Sequence, residues 1–507
     1  MANHMFDFVR AAAGDPARPF IEAEGGRVFT YGDMMAATAR LARALAALGV
    51  KPGDRVAVQV EKSPEMIMLY LACLRAGAVF LPLNTAYTAS EVEYFVGDAE
   101  PRLVVVDPGQ ADALGPLAAA AGATLLTLGR SGDGSLMERA STEPAAFTDV
   151  PRAPDDLAAL LYTSGTTGRS KGAMLTHDNL RSNALALVET WRFTRDDVLI
   201  HALPLFHTHG LFVATNVVLA AGASMILQPK FDPDRIVAAL PRATTLMGVP
   251  TFYVRLLLHQ GVTRESTAGM RLFVSGSAPL LAETHESWRD RTGHAILERY
   301  GMTETNMNTS NPYDGERRAG TVGFPLPGTS VRIVDPDSGA ELPVGEIGMI
   351  EVSGPNVFKG YWRMPEKTKA EFRADGFFIT GDLGLIDLDG YLHIVGRGKD
   401  VIIAGGYNIY PKEVELEIDA MPGVVESAVI GVPHPDMGEA VTAVVVRSGD
   451  AAIDAQAILD GLVNRLARYK HPRHVVFVDE LPRNTMGKVQ KNVLRERYAD
   501  LHAGTAD

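Results

Sequence analysis

Short apolar runs of strand length recur early in the chain, at Val56-Ala57-Val58-Gln59-Val60, Leu103-Val104-Val105-Val106 and Ala158-Ala159-Leu160-Leu161. Between them lie Ala-, Leu- and Arg-rich stretches of helical period, such as 34–48. That alternation predicts an α/β region. Residues 129–156 are polar and rich in Gly, Ser, Pro and Ala, which predicts a surface connection between two halves of a large N-terminal region. The most membrane-like run, 211–227, is interrupted by Thr215, Asn216 and Ser224. It falls short of the roughly 18–20 apolar residues of a span and reads as a buried helix and strand.

From Thr329 onward the pattern changes. Stretches 331–335, 348–352 and 391–395 alternate with turn residues, as in a small β-rich subdomain. The remainder mixes predicted helices (411–420, 455–469) with short strands (426–431, 441–446, 475–478), enough for a separate α+β domain. At the junction Gly396-Arg397-Gly398-Lys399-Asp400, two glycines permit backbone rotation. The expected organisation is an N-terminal α/β region 1–396, a hinge 397–400 and a small α+β C-terminal domain 401–507.

Composition narrows the function. With 507 residues and a formal charge of −13, the chain can bury a large core and opposes general affinity for nucleic acid or anionic lipid. Any anionic ligand must be held by a local positive site. The single Cys73 lies in an apolar stretch with no activating neighbour, as a buried small hydrophobe in a reducing compartment. Residues 1–10 lack the pattern of a signal or transit peptide, so a soluble, cytoplasmic protein is expected. The pattern sets no oligomeric state.

The sharpest chemical feature follows a strand-like run: Tyr162-Thr163-Ser164-Gly165-Thr166-Thr167-Gly168-Arg169-Ser170-Lys171-Gly172. Small residues let the backbone approach a ligand, while the hydroxyls of Thr163, Ser164, Thr166 and Thr167, backbone N–H groups and Lys171 offer donors to a polyphosphate. It is not a Walker loop, because Lys171 precedes Gly172 instead of Ser or Thr. Nor is Ser164 a hydrolase nucleophile, since Tyr162 and Thr166 stand where the nucleophile elbow requires glycines.

This loop resembles the signature of the adenylate-forming enzymes: acyl-CoA synthetases, adenylation domains and luciferases. Further stretches resemble that family in the same order, at 203–210 (LPLFHTHG), 275–280 (SGSAPL), 299–305 (RYGMTET), 380–382 (TGD), 396–400 (GRGKD) and 482–488 (PRNTMGK). Ser170 is a departure, standing where many relatives place Pro. The resemblance implies a carboxylate attacking the α-phosphate of Mg-ATP, then a thiol, usually that of CoA, displacing AMP. It implies ATP contacts from the loop and Lys171, from Ser277, Ala278 and Pro279, and from Glu298, Tyr300, Gly301, Met302 and Thr303, with Asp382 and Arg397 on the ribose. It further implies Glu304 as the Mg²⁺ ligand, Lys488 as the catalytic cation with Glu304 and His207 as the other catalytic residues, Lys399 as the hinge, and Ala404, Gly405 and Gly406 lining the CoA tunnel. Taken alone, a Lys in a Pro/Gly-rich loop is ordinarily solvated, as expected of Lys491.

The family pattern leaves the acid open. Arg299, before Tyr300 at the edge of the expected acyl pocket, would be costly if buried unpaired and offers a planar fork to a carboxylate. A substrate with a second carboxylate is therefore inferred, with His207 and Thr208 opposite and Met307 as a wall. The run 298–305 with 207–210 is similar to malonyl-CoA synthetases within the family, which implies malonate and, more slowly, methylmalonate. Short-chain monocarboxylate or aryl acid:CoA ligases, a domain loading a carrier protein, and a non-catalytic nucleotide-binding scaffold are the alternatives. Lys488, in a mobile Pro/Gly-rich segment, is also an expected target of a lysine acetyltransferase and deacetylase, because acetylation would remove its charge.

Overall fold

In the computed structural model, which describes residues 3–163, 170–404, 407–434, 437–449, 453–463, 465–484 and 487–501, the early apolar runs are strands of one six-stranded sheet. Its order is Thr124–Thr127, Leu103–Val106, Arg55–Gln59, Val79–Pro82, Leu157–Thr163, Lys171–Thr176. All pairs but the last are parallel. Strands covered on both faces need no polar side, and every residue of Leu103–Val106 is buried.

A nine-stranded sheet lies beside it, parallel from Leu297–Met302 through Leu272–Ser275, Thr245–Gly248, Val198–His201 and Ser224–Leu227 to Pro19–Glu22. The loops that carry the motifs leave the carboxyl ends of Leu157–Thr163, Val198–His201 and Leu272–Ser275, where open α/β sheets place their ligands.

Helix Pro64–Ala76 is buried along its whole length and contributes to the main core, Cys73 included. Ser63 caps it by accepting from Met66 N–H, Pro64 starts it, and left-handed Gly77 ends it. Its two buried charges are answered by Arg27 at Glu65 and by Asp149 at Arg75.

The β-rich subdomain is a four-stranded antiparallel sheet of Ser330–Val334, Gly348–Ser353, Phe378–Ile386 and Leu392–Arg397. Beyond it, Val424–His434 and Gly438–Arg447 pair antiparallel, with His474–Val478 added in parallel. Separate apolar clusters form there around Val414, Ile418 and Val445 and around Ile430, Val444 and Leu494. The fold is the expected α/β arrangement with a large N-terminal and a small C-terminal unit.

Three local expectations are corrected. The 129–156 connection contains helix Ser135–Ser141, which sinks Leu136 and Ala140 into the core. The helix expected over 455–469 spans Ala455–Leu462, because Gly461 weakens it and Val463 beyond it is exposed. The run 211–227 does contain helix Asn216–Ala221 and strand Ser224–Leu227, but a π-helical stretch His209–Thr215 precedes them. No helix of the described residues is long and apolar enough to cross a membrane.

Candidate active site

Residues 164–169 (Ser164, Gly165, Thr166, Thr167, Gly168 and Arg169), together with Gly405 and Gly406, lie outside the described residues. The flanks of the first segment are fixed by the antiparallel pairing of Thr163 with Lys171. Lys171 Nζ lies 3.2 Å from Glu371 Oε1 and 4.5 Å from the centre of the Tyr361 ring. The Tyr361 hydroxyl sits 2.7 Å from Glu371 Oε2 and 3.1 Å from Glu304 Oε1. Lys171 and Glu304 thus share a scaffold, Tyr361 and Glu371, that the sequence reading missed. No family of charges close in sequence announces it; Tyr361 arrives because Gly360 and Trp362 pair with the strand that begins at Lys171.

Glu304 is buried, and its carboxyl pKa is raised by desolvation against the weaker opposing pull of a backbone hydrogen bond, Tyr361, Arg397 and Lys171. A buried carboxylate without a direct ion-pair partner, as Glu304 is among the described residues, favours a cation. Among the described residues no three His, Cys, Asp or Glu side chains converge as a metal cage. The site therefore fits a hard cation taking one oxygen from Glu304 and the rest from substrate phosphates and water.

The next cluster joins the two antiparallel strands of the β-rich subdomain to the nine-stranded sheet. Asp382 and Arg397 are register partners, with Arg397 Nε 2.8 Å from Asp382 Oδ1. The Tyr300 hydroxyl donates to Asp382 Oδ2 at 2.5 Å. Asp382 raises the pKa of Arg397 and, after burial, that of Tyr300. Each carboxylate oxygen keeps a free lone pair for a further donor, as two ribose hydroxyls would require. Gly301 lets the following turn close: a Cβ there would lie 1.9 Å from Asn306 O. Met302 and Thr303 are half-buried in that turn. Glu298 accepts from Gly320 N–H at 3.2 Å, and burial raises its pKa.

The third cluster surrounds Arg299, 4% exposed and without an ion-pair partner among the described residues. Its Nε and Nη2 are buried with no hydrogen-bond acceptor, and burial lowers its pKa to about 9. Thr208 Oγ1 and His209 Nε2 are likewise buried without partners among the described residues. His209 Nδ1 lies 3.3 Å from Ser277 Oγ, and Ser277 holds a left-handed φ of 71° before Ala278 and Pro279. Strained non-glycine backbone of this kind costs about 1–3 kcal/mol and concentrates at functional sites. Gly276 gives the guanidinium its room, since a Cβ would approach Arg299 Cζ to 2.4 Å. Met307 is buried with its Cε close to Gly301.

His207 is half-buried, and desolvation followed by the charges of Lys488 and Arg299 lowers its pKa to about 3, so it is neutral at pH 7. Lys488 is exposed, yet the charges of Arg397, Asp382, Glu304 and Arg299 all reach its ammonium. Desolvation, then Arg397, lowers its pKa. The loop meets the N-terminal region at Gly487, where a Cβ would touch Thr251 at 3.6 Å. Lys399 is exposed and Ala404 buried. Lys491 is not solvated as expected: its ammonium binds Glu415 Oε1 at 2.5 Å, because helix Pro411–Asp419 passes beneath it.

Comparison with known proteins identifies the family. A model of the AMP-binding enzymes matches residues 8–362, and one of the AMP-binding enzyme C-terminal domain matches 413–488. The crystal structure of ATP-bound MatB from Rhodopseudomonas palustris is 63% identical over 99% of this chain and 100% of that one, with a TM-score of 0.97. The apo form of MatB superposes with a TM-score of 0.87. Curated relatives include a feruloyl-CoA synthase of Amycolatopsis, 40% identical over 94% of this chain and 95% of its own length. A mitochondrial malonate–CoA ligase of Bos taurus is 34% identical over 97% and 90%. With family models matching both 8–362 and 413–488, the chain belongs to the AMP-binding enzyme family and is an acid–CoA ligase.

Proposed function

We propose that the chain is an AMP-forming malonate:CoA ligase that makes malonyl-CoA through a malonyl-adenylate, with methylmalonate as a slower substrate. The observation that carries this reading is the guanidinium of Arg299, buried and unpaired among the described residues, whose charge reaches His209 with its unpartnered Nε2. An aryl or fatty acid would leave that guanidinium desolvated and alone; a carboxylate would accept two parallel N–H bonds from it. The feruloyl-CoA relative makes an aryl acid the rival, and Arg299 is the residue that argues against it.

One carboxylate of malonate rests on Arg299, Thr208 and His209, with Met307 beside the central carbon. The other must approach the α-phosphate of ATP. Unit charges about 4 Å apart repel by about 1 kcal/mol in water and about 4 kcal/mol at an effective dielectric near 20, so a partly dry cleft needs a cation between them. Lys488 takes that role, while neutral His207 borders the path without adding a charge of its own. Lys171, Thr163 and the adjoining loop hold the phosphates, Ser277 to Pro279 with Glu298 and Tyr300 to Thr303 hold the adenine, and Asp382 and Arg397 hold the ribose. When bound at Glu304, Mg²⁺ would supply charge to the departing pyrophosphate.

In the second step the CoA sulfur bonds to the acyl carbon and the bond to AMP breaks. Rotation of 401–507 about 397–400, with Lys399 as pivot, would withdraw Lys488 and bring Ala404, Gly405 and Gly406 over the adenylate, leaving room for pantetheine. The exposure of Lys488 also suits an acetyltransferase and deacetylase pair; stoichiometric acetylation should abolish adenylation, and unchanged activity would remove that regulation.

AMP release with ATP, Mg²⁺ and CoA against malonate, methylmalonate, succinate, acetate, benzoate and octanoate tests the substrate. Malonate should lead, followed by methylmalonate. Activity confined to the last three acids would refute the diacid reading.

A further inference from the structure

Lys488 lies on a loop closed on itself: Asn484 N–H donates to Lys488 O at 2.9 Å, Lys488 N–H to Asn484 Oδ1 at 3.0 Å, and Gln490 N–H to Pro482 O at 2.8 Å. These bonds tie 482–484 to 487–490 but do not set their place on the domain. On the upstream side Arg483 pairs with Glu426 and donates to Gly487 O. On the downstream side the contact is Lys491 with Glu415.

That second contact has unusual features. Lys491 is the first residue of helix Lys491–Arg497, where the positive end of the helix dipole opposes a cation. Glu415 is 5% exposed, an expensive place for a carboxylate. Each is accounted for by the other: Glu415 Oε1 accepts from Lys491 at 2.5 Å and from Val429 N–H at 2.9 Å, and Lys412 Nζ lies 3.8 Å from Oε2. Surrounded in this way, Glu415 has its pKa held below the usual carboxylate value despite desolvation. Lys491 stands three residues beyond Lys488, so the pin lies within about 10 Å of chain from the catalytic ammonium.

We infer that Glu415, through Lys491, is a positioning residue for adenylation: it sets where the Lys488 loop meets the cleft. The inference rests on the proposed role of Lys488 as the cation of the first step only. A residue that merely holds the C-terminal domain together would serve both steps equally, because the same domain must also present Ala404 for thioester formation. A residue that places Lys488 serves the first step alone.

The test separates the half-reactions. Glu415→Gln and Lys491→Met are assayed for pyrophosphate release from ATP and malonate, and in parallel for thioester formation from preformed malonyl-adenylate and CoA, with Lys488→Ala alongside. Displacement of a reacting group by about 1 Å costs up to about a hundredfold, so adenylation in either variant should fall tenfold or more while thioester formation stays within about twofold. The double variant should be no worse than the poorer single one, as for two members of one contact. Lys491 is partly exposed, so its variant tests the inference even if the buried Glu415 variant folds poorly. Equal losses in both steps, a loss in thioester formation alone, or no loss overturns the inference. Undiminished adenylation in Lys488→Ala would instead refute the role assigned to the lysine.

Discussion

Arg299 and Gly276 interlock at the scale of single residues. The guanidinium occupies the space that any larger residue at 276 would fill, a Cβ there falling 2.4 Å from Arg299 Cζ. Arg299→Ala should lower kcat/KM for malonate by about two orders of magnitude, the worth of charge-assisted hydrogen bonds, and leave propionate far less affected. Steady-state AMP release with both acids measures this, and equal losses would remove Arg299 from specificity. Gly276→Ala leaves the charge present but displaces it, so malonate KM should rise about tenfold with smaller change in KM for ATP. The two residues were unequally legible. Arg299 adjoins the recognisable Tyr300 motif, whereas the demand on Gly276 exists only once neighbouring parallel strands bring it against that side chain. Tyr361 and Glu371 were hidden for the same reason: their partners Lys171 and Glu304 are near in the fold and distant in the chain.

Helix Pro64–Ala76 shows at the scale of elements what a burial pattern can and cannot foretell. Its apolar residues and flanking Ser63 and Gly77 are readable, but two charges inside it require partners from elsewhere. Arg75 takes Asp149 at 2.6 Å and donates also to Met35 O and Thr38 Oγ1, and burial lowers its pKa to about 10. Asp149 belongs to the polar stretch read as a surface connection. That stretch is therefore anchored: Val150 N–H donates to Arg75 O, and Asp149 itself is almost wholly enclosed. Composition could not reveal this, because a Pro- and Ala-rich segment reads the same whether or not one of its carboxylates meets a buried guanidinium. Asp149→Ala would leave that charge without a carboxylate, a change that typically costs about 3–5 kcal/mol. Calorimetry should show the thermal midpoint lowered by several degrees; an unchanged midpoint would mean that the backbone acceptors and solvent suffice for Arg75.

At the scale of the molecule, a chain carrying a net charge of −13 must hold three anionic substrates with a few placed cations, and their grouping has a cost visible in their titration. Lys488 shares the cleft with Arg397 and Arg299, and desolvation with that repulsion moves its pKa below the ordinary 10.5. A cation with a lowered pKa loses its proton earlier as pH rises. Adenylation should therefore fall on the alkaline side at a pH below the ordinary lysine value, since only the ammonium offsets repulsion between carboxylate and phosphate. The two kinetic parameters should differ in a set direction. The limb in kcat/KM for ATP reports the free enzyme, where Asp382 and Glu304 are the anions opposing the shift. In kcat, bound ATP and malonate add negative charge beside the ammonium, raise its pKa and move the limb to higher pH. Thioester formation from preformed adenylate should lack this limb, because Lys488 is proposed to leave the site before CoA enters. Lys488→Arg, whose guanidinium holds its proton to higher pH than an ammonium in the same place, should move the limb in adenylation to higher pH whatever rate it retains. Rate profiles from pH 7 to about 10.5 for each half-reaction decide the matter. An alkaline limb of equal position in both steps would place the titrating group outside the lysine loop.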